Sequence, residues 1–176
     1  MITKKKYKSQ FGLLCAKKSE VLKKNNCVKQ EIIDLLDVNC DDNEHLVFPM
    51  HDPDDKSLVI GIFRKFWEIQ RGHQIIVSSR SSFKRKYGDL LYPLCNPNVT
   101  LDTSKPLHIV QTPLEVAELL SEGKNAIATF YKNTISNKLR DYIISNNIKE
   151  VICSIRVNKA SLEKKLDKEG YNCILT

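Results

Sequence analysis

The sequence lacks what a membrane or secreted protein needs. Its apolar runs, such as Leu58–Phe63, fall far short of the ~20 residues that cross a bilayer. No apolar stretch follows Met1-Ile2-Thr3-Lys4-Lys5-Lys6, so the start does not read as a secretory leader. No acid precedes Glu20, but arginine is missing there too, and an organelle transit peptide is a poor match. Six cysteines stand at 15, 27, 40, 95, 153 and 173, and no two have the short gap of a zinc knuckle. Cys40 and His45 have something like ligand spacing, but one such pair is half a site. The cysteines read as free, buried thiols in a reducing compartment. His45, His51, His73 and His108 are scattered, with no Cys or Ser partner in a nucleophilic motif. Asp52, Asp54 and Asp55 lack the glycine and terminal glutamate of a calcium loop and read as a solvated turn. There is no internal repeat and no low-complexity stretch.

What is present is an ordinary globular composition, 41% hydrophobic and 28% charged, over 176 residues. That length suits one compact domain with a small appendage. The net charge of +7 is unevenly placed. Residues 1–30 carry nine lysines against one glutamate, and residues 31–60 carry nine acids against one lysine. Residues 61–88 then carry Arg64, Lys65, Arg71, Arg80, Lys84, Arg85 and Lys86 against Glu68 alone. Two basic blocks around an acidic one point to a polyanionic partner, and nucleic acid is the simplest.

Along the chain, Phe11, Leu14, Lys18 and Val21-Leu22 share a helical spacing. Val28, Ile32, Ile33, Leu35 and Leu36 form a second such face, and Asp41-Asp42-Asn43 closes the segment. From His45 the period shortens. Leu46–Phe48 and Leu58–Phe63 read as strands around a turn at 51–55, with a third at Gln74–Val77. Asn96-Pro97-Asn98 and Ser104-Lys105-Pro106 mark a boundary. After it the pattern alternates: strand 107–110, helix 113–122 with Pro113 in its first turn and Gly123 closing it, strand 125–130, helix 134–147, strand 150–155, helix 159–169, strand 171–175. A β-α-β-α-β-α-β order predicts a mostly parallel sheet flanked by helices, with ligands meeting the carboxyl ends of its strands at 111–112, 131–132 and 156–159.

The run Glu44-His45-Leu46-Val47-Phe48-Pro49-Met50-His51-Asp52 resembles the R-x-x-F-P-I-x-D stretch of the bacterial-type DNA primase core, with His45 in place of the arginine. Val59-Ile60-Gly61 is similar to the V-I-G strand that follows it. Ser78–Leu94 is similar to the family's N-S-P-E-T and F-x-K-x-x-x-L-Y-G-L stretch. From Pro106 the chain resembles a Toprim domain, the metal-binding module that primases share with topoisomerases. The resemblance covers about three quarters of the chain and, together with the helical spacing that precedes it, implies an α/β fold in three parts. These are a helical appendage at 1–43, a mixed primase-like subdomain at 44–105 and a Toprim-like domain at 106–176.

The departures fall on the motifs that carry chemistry. The family's E-G-x-x-D corresponds to Gln111-Thr112-Pro113-Leu114-Glu115. Its A-T-L-G-T-A-L-T corresponds to Ala128–Ser136, with Tyr131 at or near the glycine. Its D-G-D-x-A-G corresponds to Arg156-Val157-Asn158-Lys159-Ala160-Ser161. Primer synthesis needs divalent cations, and Mg²⁺ needs anionic oxygens. An arginine ~4 Å from a dication would repel it by about 8 kcal/mol at an effective dielectric near 20, as an upper estimate. More than Glu115 could recover, this predicts no catalytic metal and no cofactor. Lys132, Arg156, Asn158 and Lys159, with Gln111 and Glu115, could instead meet a phosphate directly.

The resemblance thus implies a catalytically degenerate primase-like protein of DNA replication, intracellular, cytoplasmic or nucleoid-associated. It would bind single-stranded or primed DNA through residues 64–86 and dock a helicase or polymerase. Two other readings stay open. One is an active divergent primase using Asp52, Asp89 or Glu115. The other is a protein-interaction module or inhibitor without nucleic-acid binding.

Overall fold

The computed structural model describes residues 2–3, 28–40, 45–52, 54–65, 73–77, 90–130, 135–153, 166 and 172–175. The chain divides into two compact units, Met1–Leu90 with Cys95–Val99, and Leu91–Leu94 with Thr100–Thr176.

The first unit is built on an antiparallel sheet. Its strands are β1 (Ile2–Thr3), β2 (Asn39–Cys40), β3 (Leu46–His51), β4 (Leu58–Lys65) and β5 (His73–Val77). They run β1-β4-β3-β2, with β5 also on β4. β1 pairs with Leu58 and Val59 and β5 with Gly61–Lys65, so the two follow one another along β4. Both β1 and β2 lie within residues 1–43, so that segment contributes strands to the sheet as well as a helix. The expected helical face at 11–22 lies outside the described residues.

β3 is buried along its whole length, which explains why its residues, Leu46-Val47-Phe48-Pro49-Met50-His51, do not alternate with polar ones. Between Met50↔Gly61 and His51↔Val59 the register slips by one residue at Ile60, a bulge just before the acidic turn. Phe48 and Phe63 sit opposite each other and meet edge to face, ring centroids 6.1 Å apart. Helix α1 (Gln30–Leu35) adds Ile33 to this core, with Leu36 and Val38 just beyond it.

The second unit holds a parallel sheet of order β7-β6-β8-β9, from β6 (Leu107–Val110), β7 (Asn125–Ala128), β8 (Glu150–Cys153) and β9 (Asn172–Leu175). Helices α2 (Pro113–Ser121) and α3 (Asn137–Ser145) make the crossovers that antiparallel hairpins would not need. Leu107, Ile109, Ile127, Val151 and Cys153 are all fully buried. Leu139 and Ile143 bury the inner face of α3, with Ile135 buried just before its cap.

The ends of these helices follow from local chemistry. α2 starts at Pro113, whose missing N–H costs nothing in a first turn. At its end, Gly123 N–H donates to the Leu120 carbonyl and Lys124 N–H to the Leu119 carbonyl, with Gly123 at φ +77°. The same paired closure ends α1 at Asp37 and Val38, and α3 at Asn147 and Ile148. Asp37 and Asn147 take the left-handed turn, with φ of 54° and 53°. The buried Asn125 amide ties β7 to the preceding loop: its Oδ1 accepts from Asp102 N–H, and its Nδ2 donates to the Asp102 carbonyl.

Candidate functional site at the carboxyl ends of the parallel strands

The strand order locates the site without reference to any motif. From β6 the chain crosses to β7 at one side, whereas from β8 it crosses to β9 at the other. Right-handed crossovers then place α2 and α3 on opposite faces of the sheet. The crevice between neighbouring strands whose connections diverge is where open α/β sheets take ligands. Here it lies at the carboxyl ends of β6 and β8. Gln111 and Thr112 follow β6 directly, and Arg156, Asn158 and Lys159 follow β8 by a few residues in sequence.

The β6–α2 turn shows what its side chains are doing. Thr112 is the N-cap of α2, and its hydroxyl oxygen accepts from Glu115 N–H at 3.3 Å. Glu115 returns its carboxylate: Oε2 accepts from Thr112 N–H and from Thr112 Oγ1–H, both at 2.7 Å. This reciprocal pair is a capping box. Thr112 is only 8% exposed, so its N–H has little water to turn to. Glu115 is therefore engaged in closing a helix. Gln111, half-buried, brings a neutral amide to the same turn.

The end of β7 is pinned to the end of β6. Thr129 donates to the Val110 carbonyl twice, from its N–H at 2.9 Å and its Oγ1–H at 3.2 Å. Phe130 then adopts φ +53°, a left-handed backbone rare for a bulky residue. It packs edge to face on Tyr92, with centroids 6.1 Å apart. Tyr92 is fully buried and accepts from Ala128 N–H, which fastens the Leu91–Leu94 stretch to the β7 edge of the sheet. The primase resemblance sets a glycine at or near Tyr131. The glycine-favoured conformation is found at its neighbour Phe130.

Among the described residues, no three His, Cys, Asp or Glu side chains gather in a way that could hold a metal. Cys40, Cys95 and Cys153 are buried and form no disulfide. Asp52 is 3% exposed in the first unit, and its Oδ1 accepts from Asp54 N–H, which shapes the β3–β4 turn. His51 Nδ1 lies 2.7 Å from the Lys56 carbonyl across the same turn. Away from the crevice, His108 on β6 is held below the ordinary imidazole range, first by burial and then by Lys124, against the pull of Glu122 and Glu150.

Of the residues selected from sequence, Gln111 and Glu115 are brought into one turn. Arg64 and Lys65 lie on β4, in register with Val47 and Leu46. Arg71, Arg80, Lys84, Arg85, Lys86, Asp89, Lys132, Arg156, Asn158 and Lys159 lie outside the described residues. Sequence reasoning singles out Thr112 only as a strand-end position and passes over its capping role, although T-x-x-E before a helix is its signature. Among the described residues no helix is long and apolar enough to cross a membrane.

No protein-family model matches the chain, and no curated protein matches it in sequence. Solved structures do match in fold. The DnaG primase catalytic domain bound to single-stranded DNA superposes with a TM-score of 0.65 at 13% identity, over 93% of this chain and 66% of that one. The Escherichia coli primase catalytic core gives 0.64 at 14%, over 96% of this chain and 67% of that one. The zinc-binding and RNA polymerase domains of Aquifex aeolicus primase give 0.60 at 16%, over 89% and 48%. The chain thus spans about two thirds or less of the length of the primase structures it matches. Its fold is that of the bacterial-type primase catalytic core, with a Toprim-like parallel sheet.

Proposed function

We propose that this chain is a catalytically degenerate primase-like protein of DNA replication, which binds single-stranded or primed DNA and docks a helicase or polymerase. The observation that carries the reading is the engagement of Glu115 by Thr112 at the β6 end. Metal-dependent nucleotidyl transfer needs uncommitted carboxylates there. The β6 end supplies Gln111, and the one carboxylate of its turn, Glu115, is held by Thr112. The residues that follow β8 in sequence include Arg156 and Asn158 in place of acids. Further support comes from the fold shared with a primase domain that binds single-stranded DNA, and from the basic stretch Arg64–Lys86. In this reading Lys132, Arg156, Asn158 and Lys159 take a backbone phosphate charge for charge, with no bridging ion.

Two assays test it. A template-directed primer-synthesis assay with Mg²⁺ or Mn²⁺ gives no product, and robust template-dependent primers would overturn the degenerate reading in favour of an active primase. Single-stranded DNA binding is unaffected by EDTA and weakens steeply with salt. Each phosphate contact contributes about 0.7 to the log–log salt slope, so neutralising Lys84, Arg85 and Lys86 together lowers it by roughly 2. Absence of DNA binding at low salt would leave the protein-interaction module as the correct reading.

A further inference from the structure

We draw no further inference here: the strongest candidate, the open strip of the parallel sheet where His108, Ile152 and the 36%-exposed Ile174 stand side by side across β6, β8 and β9, is a largely apolar face with nothing in the structure to show what covers it.

Discussion

Replacing Glu115 separates the two roles that its position allows, a helix cap and a metal ligand. In Glu115→Ala the Thr112 N–H and Oγ1–H lose a shared acceptor that lies 2.7 Å from each. Losing a cap costs about 0.5–2 kcal/mol. Thr112 is nearly buried, so its N–H cannot simply turn to solvent, which places the loss in the upper half of that range. For a chain of this size about 1–2 kcal/mol lowers Tm by roughly 2–8 °C. Glu115→Gln keeps a carbonyl oxygen for Thr112, as capping boxes allow, and loses the charge facing the helix dipole, about 0.3–1 kcal/mol. The stability order is therefore wild type, then Gln, then Ala. The assay is thermal unfolding of all three with and without millimolar Mn²⁺. A real site at a hundredfold excess over Kd would add about 2.7 kcal/mol, easily seen. The expected Tm values are the same with and without the ion. A Mn²⁺-dependent rise in the wild type that disappears in Glu115→Gln would refute the capping account and restore Glu115 as a ligand.

Gly123→Ala tests the closure of α2: a Cβ there would meet nothing within 4 Å, so only the φ of +77° resists it, and the unfolding free energy falls by about 1–2 kcal/mol, read as a lower denaturant midpoint with m unchanged. No loss would show that the left-handed turn is not required. Phe130→Gly relieves about 1–2 kcal/mol of left-handed strain but removes an aromatic side chain worth about 3–5 kcal/mol, so the variant is less stable by roughly 1–4 kcal/mol. A more stable variant would mean that strain outweighs packing at this position. For His108 the neutral imidazole is favoured in the folded state, so the unfolded chain takes up the proton first. Its contribution is complete above the unfolded pKa of about 6.5 and is lost as pH falls below it. Asp102 and Glu122 are shifted down, Asp102 chiefly by Ser104 and Glu122 by Lys124, so their contributions fade only at more acid pH. Urea midpoints between pH 7.5 and 5 therefore fall less in His108→Gln than in the wild type, and identical profiles would dismiss the effect.

The alternating half of the chain was legible because its signals are local. Pro113 and Gly123 bracket α2, and the observed helix, Pro113–Ser121, ends within a residue of that reading. β6 matches from Leu107 to Val110. α3 starts later than its hydrophobic face implies, at Asn137. Ile135 is buried and keeps the helical spacing, yet Ser136 caps the helix one residue after it, accepting from Leu139 N–H. The strands β1 and β2 were not legible. Each has two residues, too few for any periodicity; β1 exists because β4 offers it an edge far along the chain, and β2 because the neighbouring β3 offers it one. The strand order was likewise hidden. That β6 lies between β7 and β8 is a long-range choice, and it alone brings the carboxyl ends of β6 and β8 side by side.

Glu115 shows how one acid can fit two motifs. Thr112-Pro113-Leu114-Glu115 satisfies two patterns at once, the T-x-x-E of a capping box and the acidic end of the Toprim metal motif. Sequence cannot separate them, because both ask for an acid at the same offset. Geometry does: Oε2 is bonded to Thr112 N–H and Oγ1–H, so folding requires an acceptor here whether or not a cation is bound. Gln111 carries no such duty. It sits past the end of β6 as a half-buried side chain, and the strand is complete without it. Under the proposed degenerate function, an acid needed by the fold stays even without metal chemistry, while a position with no such role in the fold is free to become neutral or basic. The carboxylate of this turn is thus the one that says least about catalysis, and the proposed function is better judged by Gln111, Arg156 and Asn158 than by Glu115.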